Sequence, residues 1–355
     1  MESGGLSARE AALAPPRAHG QPVTKGQLRA QPEDFLVEEE LGFEPAGSGQ
    51  HLLLKVRKRD ANTQWVAREL AKLAGCRPFE VGFAGLKDRR AVAVQWFSVP
   101  RPRTEVNWLE VSAQDFAVIE AHAHNRKLPR GALAGNRFTV RIRAPDGDGA
   151  RLSAALAPRL AAIGRGGVPN YFGPQRFGHD GANLLRGRES LNNLRREERG
   201  FVLSAARSVV FNAVLAERVA DGSWEHLLEG DLANLDGRGS VFAADAADPT
   251  LTQRCERLQI HPTGPMWGAG NPPTLARVLE LESRVGARFA QESGLCVAAG
   301  MAQERRSLRL AVRELESQAE PDACVLRFRL ARGSFASVVL RELIADVLVT
   351  GDASD

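Results

Sequence analysis

Asp88 is the side chain in this sequence best placed to do chemistry. It follows a short apolar run, Val81 to Ala84, that breaks at Gly85 and delivers the charged triplet Lys87, Asp88 and Arg89. A second strand-like run, Val92 to Val99, comes soon after. A carboxylate among cations can serve as a nucleophile or as a base. On this stretch alone, a solvated turn residue between two strands is the commoner use of such an aspartate. The second group with chemical content is the loop Gly164 to Gly178, which carries Asn170, Tyr171, Phe172, Arg176 and Phe177. Aromatic faces stack on an unstacked base while an amide or a backbone group reads its edge. The same aromatics would serve as well to plug a core. This loop has no GxGxxG in strand-turn-helix context and no P-loop, which argues against a nucleotide-phosphate cradle.

The elements around these residues read as α/β. A Pro32-Glu33-Asp34 turn precedes an extended stretch that begins at Phe35, by default a strand core residue, with Arg29 upstream as a surface cation. His51 to Val56 reads as a strand ending in Arg57-Lys58-Arg59; Asn62 or Thr63 then caps a helix to about Ala74, with Gly75 just beyond its end. Strand, helix and strand therefore precede Asp88 and present it at a strand end, where open sheets tend to place their sites. Val118 to Arg130 reads as a basic loop; its His122 and His124 lack the further ligands of a metal shell, so no metal is expected there. Phe138 to Ala144 alternates as a half-buried strand with arginines outward, and Leu326, Phe328 and Leu330 alternate similarly. Ser204 to Val219, Thr274 to Glu292 and Phe335 to Val347 read as helices.

At 355 residues the chain is long enough for about two domains, and 43% hydrophobic with 25% charged residues is an ordinary globular composition. No continuous apolar run approaches the roughly 20 residues of a membrane helix, so no membrane partner is expected. Residues 1–21 read as a disordered leader, with Glu2 and Glu10 in place of a secretion signal's apolar stretch. Four cysteines without CxxC spacing point to a reducing, cytoplasmic setting and away from a zinc site. The formal charge is +4, unevenly spread: residues 195–307 hold 13 Lys and Arg against 15 Asp and Glu, so the positive excess belongs to the parts carrying the motifs. A phosphate-binding surface needs that arrangement.

Three motifs in this order, FAGLKDRRAVAVQWFSV from Phe83, GVPNYFGPQRFG at Gly167 to Gly178 and GSFASVVLREL at Gly333 to Leu343, resemble the TruD family of tRNA pseudouridine synthases. The resemblance runs from about Lys25 to about Ile344 and is weakest between roughly Arg195 and Ser307. It implies a mixed sheet flanked by helices, with an inserted α/β domain forming one wall of an RNA-binding cleft: 22–194 and 308–355 as the catalytic domain and 195–307 as the insert. It implies Asp88 as the catalytic residue and Phe35, Asn170, Phe172 and Phe335 around the target nucleotide. Pseudouridine synthases in general set a basic residue near the catalytic aspartate, which makes Arg29 an ion-pair candidate. The implied substrate is tRNA, at uridine 13, and the default state is a monomer.

The implied reaction detaches uracil from ribose and reattaches it through carbon, an isomerisation that needs no redox cofactor, and no cofactor motif is present. Lys87, Arg89 or Arg29 would be the cation beside Asp88. Two rival readings stand beside this one. A glycoside hydrolase would pair Asp88 with an acid from Glu33 to Glu40, leaving the basic faces and the aromatic loop without a purpose. A non-catalytic RNA-binding module would explain the charge and the aromatics but not the aspartate.

Overall fold

The alternating stretches assemble into one large mixed sheet, with helices and a second sheet set against it. The structure, a computed structural model, describes residues 6–187 and 191–345. In chain order its strands are β1 (Phe35–Glu40), β2 (His51–Arg59), β3 (Gly82–Phe83), β4 (Val92–Pro100), β5 (Phe116–His124), β6 (Gly135–Arg143), β7 (Val168–Pro169), β8 (Leu232–Leu235), β9 (Val241–Ala243), β10 (Ile260–Met266), β11 (Glu304–Ser307), β12 (Arg309–Leu310), β13 (Arg313–Glu320) and β14 (Ala323–Ala331). Its helices are α1 (Ala8–Leu13), α2 (Thr63–Ala74), α3 (Gly149–Gly166), α4 (Ala182–Arg186), α5 (Arg196–Ala220), α6 (Pro249–Glu256), α7 (Ala276–Arg288), α8 (Ala290–Ala298) and α9 (Ala336–Leu340).

The large sheet runs β13-β14-β6-β1-β4-β2-β5, with β3 hydrogen-bonded to β4. β1 and β4 are parallel and the other pairs in this sheet antiparallel. A smaller sheet, β11-β10-β8-β9, is built wholly from strands between residues 232 and 307, and β12 pairs with β7.

Register decides which side chains meet. Val37 is paired with Ala93, Val56 with Gln95 and Lys58 with Ala93. Because side chains alternate with period two, Phe35, Val37, Glu39, Gln95, Val56 and Lys58 share the helix-covered face. The opposite face carries cross-strand ion pairs, such as Lys55–Glu38 at 2.8 Å and Arg141–Glu320 at 2.9 Å. One core cluster joins Phe35, Phe138 and Phe328 of the sheet to Leu156 of α3 and Val210 of α5; another packs Val66 and Leu70 of α2 against Leu54, Val56 and Phe97. The Asn62 side chain caps α2 by accepting from the N–H groups of Gln64 and Trp65, and Gly75 ends the helix in the left-handed region at φ 65°.

Several expectations need correction. Residues 6–21 are not a disordered leader. Ser7 and Glu10 form a capping box at α1, whose Ala11 and Ala12 are fully buried, and the Asn212 amide donates to the Ala11 carbonyl at 3.0 Å. Small alanines pack closely without displaying any long apolar pattern. The basic loop from Val118 is largely strand β5: His124 stacks on Phe43 and accepts from the Ala46 N–H, while His122 meets Glu120 at 3.0 Å. The helix expected from Thr274 to Glu292 is two helices with a break at Phe289. The helix expected from Phe335 to Val347 is only the short α9, and its end lies outside the described residues. Among the described residues, α5 is the one helix long and apolar enough to cross a membrane, and most of it is buried within this chain.

Candidate active site

The GLKD segment leaves β3 where Gly82 presses against its neighbours. A Cβ there would lie 2.5 Å from both the Leu128 carbonyl oxygen and Ser98 Oγ, so only glycine fits. A buried polar network then fixes the loop. Gln95 Nε2 donates to the Gly85 carbonyl at 2.6 Å, and the Thr63 hydroxyl donates to Gln95 Oε1 at 3.1 Å while receiving the Lys87 N–H at 3.1 Å. Glu39 accepts from Lys87 Nζ at 2.5 Å and from the Trp96 N–H at 2.9 Å. Lys58, fully buried, donates from Nζ to the carbonyls of Ala61 at 2.6 Å and Asp88 at 2.9 Å. Burial pushes the Lys58 ammonium down to about 8, with the Asp88 charge acting in the opposite sense.

Held this way, the Asp88 carboxylate keeps 54% of its surface exposed and meets Arg29 Nη2 at 2.6 Å. Arg29 is therefore the cation beside Asp88. Lys87 turns inward to Glu39, and Arg89 lies 3.9 Å from Asp60. The Arg29 backbone sits at φ 55°, a left-handed conformation uncommon for a side-chain-bearing residue and a recurrent feature of functional sites. Its guanidinium lies 4.3 Å from the centre of the Phe35 ring, which is 4% exposed and meets Phe138 edge-on. Phe35 thus backs the ion pair from the core.

Asn170 and Phe172 form a second group. The Gly164 to Gly178 loop does not display its aromatics: Tyr171, Phe172 and Phe177 are 1%, 6% and 0% exposed. Asn170 donates from Nδ2 to the Ser307 carbonyl at 2.9 Å, and its Oδ1 accepts from Arg306 Nη2 at 2.7 Å. The Phe172 ring packs edge-on against Phe211, with the Arg306 and Arg176 guanidinium groups 4.3 and 5.2 Å from its centre. Phe335 is half-buried at the N-terminal boundary of α9, and Arg306 Nη2 lies 3.5 Å from the Gly333 carbonyl just before it. Phe35 and Phe172 belong to one contiguous buried cluster, which ties the two groups to a common core.

The carboxylates from Glu33 to Glu40 are committed elsewhere: Glu33 to Arg59, Asp34 to Arg143, Glu38 to Lys55, Glu39 to Lys87 and Glu40 to Arg137 and Arg329. None supplies the free acid that a two-carboxylate hydrolysis pairs with Asp88. Reasoning from sequence overlooked Lys58, Glu39, Gln95 and Arg306. Lys58 and Glu39 carried a signal nonetheless, since each continues the buried parity of its strand, after Leu54 and Val56 or after Phe35 and Val37.

The geometry can be set beside known proteins. The profile of tRNA pseudouridine synthase D (TruD) matches residues 17–187 and 182–343. The chain is 44% identical to the tRNA pseudouridine synthase D of Methylococcus capsulatus, over 93% of this chain and 94% of that one. It is 43% identical to the protein of the same name from Xanthomonas axonopodis pv. citri, over 96% of this chain and 95% of the relative. A crystal structure designated tRNA pseudouridine synthase D, from Methanosarcina mazei, shares the fold at a TM-score of 0.71 and 20% identity, covering 97% of this chain and 98% of that one. The chain belongs to the TruD family of tRNA pseudouridine synthases.

Proposed function

We propose that this chain isomerises uridine to pseudouridine in tRNA, at uridine 13 of the D-arm, with Asp88 as the residue that begins cleavage of the glycosidic bond. The observation that carries this reading is the half-exposed Asp88 carboxylate, set 2.6 Å from Arg29 on a loop anchored from behind by Lys58, Gln95, Thr63 and the Glu39–Lys87 pair. A carboxylate that is open on one side and rigidly backed on the other suits attack on a bound nucleotide, as nucleophile or as base. The target base must first leave its stack, at a cost of about a few kcal/mol that backbone contacts and stacking can offset. In this reading Phe35 and Phe335 shape the pocket that receives it. Asn170 and Phe172 act through Arg306, whose position they set. Residues 22–194 and 308–355 make the catalytic domain, and 195–307 the inserted one. The isomerisation neither adds nor removes atoms, so these residues need no redox cofactor.

The test is position-resolved pseudouridine mapping on unmodified tRNA transcripts incubated with the purified chain or with Asp88→Asn. New pseudouridine in the D-arm with the wild type, and none with the variant, is the expected result. Salt-sensitive tRNA binding with no pseudouridine from either protein would leave an RNA-binding module in place of an enzyme.

A further inference from the structure

Arg306 and Arg176 flank one ring, Phe172, at 4.3 and 5.2 Å from its centre. Among the described residues neither guanidinium forms an ion pair with a carboxylate. Arg306 spends Nη2 on Asn170 Oδ1 and leaves a buried Nε without a hydrogen-bond partner. Arg176 donates from Nη1 to the neutral Ser204 hydroxyl at 3.1 Å. Burial, and then the charge of Arg176, push Arg306 down to about 10; burial alone lowers Arg176. Two like charges over one ring repel each other, and among the described residues no carboxylate is paired with either. Arg218 and Arg305, by contrast, are matched to Asp231 and Glu282, while the buried Arg309 is met by the backbone carbonyls of Glu225, Cys255 and Ile260. Arg306 also lines a cleft of about 320 Å³ with Asn170, Ser307, Gly333 and Ser334, so the charge opens onto a space next to residues the proposed function already uses.

We infer that Arg306 and Arg176 form an oxyanion subsite that receives a phosphodiester group of the RNA strand beside the extracted uridine. The inference rests on the tRNA reading above. Phosphodiester chemistry fits because a guanidinium presents a planar set of donors to phosphate oxygens, and because a bound oxyanion supplies both the missing acceptor for Arg306 Nε and the missing counter-charge. Phe172 is then the platform that keeps the Arg306 plane fixed, and Asn170 the stay that sets its rotation.

The experiment is a protein–RNA coupling cycle. Full-length tRNA is assembled with a single uncharged methylphosphonate at the phosphate on the 5′ or the 3′ side of the target uridine, and its affinity and turnover are measured with the wild type, Arg306→Met, Arg306→Lys and Arg176→Met. Wild type is expected to lose about tenfold in affinity at one of the two linkages, the scale of a charge-assisted hydrogen bond. Arg306→Met should bind natural tRNA more weakly by a similar factor and be indifferent to that substitution, and Arg306→Lys should remain partly sensitive. Thermal melting monitors the fold of each variant, and Arg176→Met carries the cycle if Arg306→Met does not fold. If the variants remain as sensitive as wild type at both linkages, the subsite is overturned while the enzymatic reading stands. If wild type neither binds nor isomerises natural tRNA, the proposed function fails and the subsite falls with it.

Discussion

Glu39 and Lys87 meet at 2.5 Å with side chains only 0% and 10% exposed, so the residue immediately before Asp88 is anchored in the interior by a charge on the neighbouring strand β1. Taking one partner from such a pair leaves an unmatched buried charge, typically about 3–5 kcal/mol. Glu39→Gln keeps the shape and removes the charge. It is expected to lower the unfolding free energy obtained from urea titration by an amount in that range, with a lower midpoint, and to reduce turnover, because Lys87 no longer holds the loop. An unchanged midpoint would mean that the loop is positioned by its hydrogen bonds to Thr63, Gln95 and Lys58 without this pair.

Lys58 ties pH to stability. Its ammonium titrates near 8 in the folded chain against an ordinary value of 10.5. Between those values the unfolded chain binds more protons, so stability rises as pH climbs from about 8 toward 10.5; below 8, burial of the charged form costs the fold, on the order of 3 kcal/mol. The difference in unfolding free energy between wild type and Lys58→Met should therefore shift in favour of wild type across this window. A neutral amine keeps two N–H groups, enough for the carbonyls of both Ala61 and Asp88. Turnover by wild type should accordingly survive passage through pH 8, whereas Lys58→Met, which has no donor for the Asp88 carbonyl, should be slow at every pH. A difference curve that is flat with pH would remove Lys58 from this role.

What could be read in the sequence followed from local rules, and what could not followed from burial. The strand-helix-strand unit before Asp88 was legible because Asn62, Gly75 and the apolar runs of β2 and β3 each carry their own signal. The pairing of Arg29 with Asp88, 59 positions apart, was suggested only by the family resemblance, since no local pattern links a residue before β1 to a loop after β3. The Gly164 to Gly178 loop shows the opposite limit. Its composition suits either a displayed binding surface or a core plug, and only tertiary packing reveals that its aromatics are buried while the guanidinium of Arg306, from β11, covers Phe172. α1 was missed for a related reason: alanines read as featureless in sequence, yet are the residues small enough to sit against α5.

Burial also reverses an expectation about Phe172. An exposed stacking residue would lose substrate engagement on truncation and leave the fold intact. Phe172 is 6% exposed, packs edge-on against Phe211, and its backbone N–H and carbonyl are both bonded to the Asn212 amide, at 2.9 and 3.0 Å. Phe172→Ala is thus expected to open a cavity and cost about 3–5 kcal/mol, visible as a fall in melting temperature without RNA. Phe172→Leu retains most of the volume but gives up the ring face on which Arg306 lies. It should cost less than about 1.5 kcal/mol and weaken tRNA binding in proportion to the freedom Arg306 regains. Comparing the two separates the jobs of the ring: if Phe172→Leu binds tRNA like wild type, the ring is a core residue only, and the orientation of Arg306 comes from Asn170.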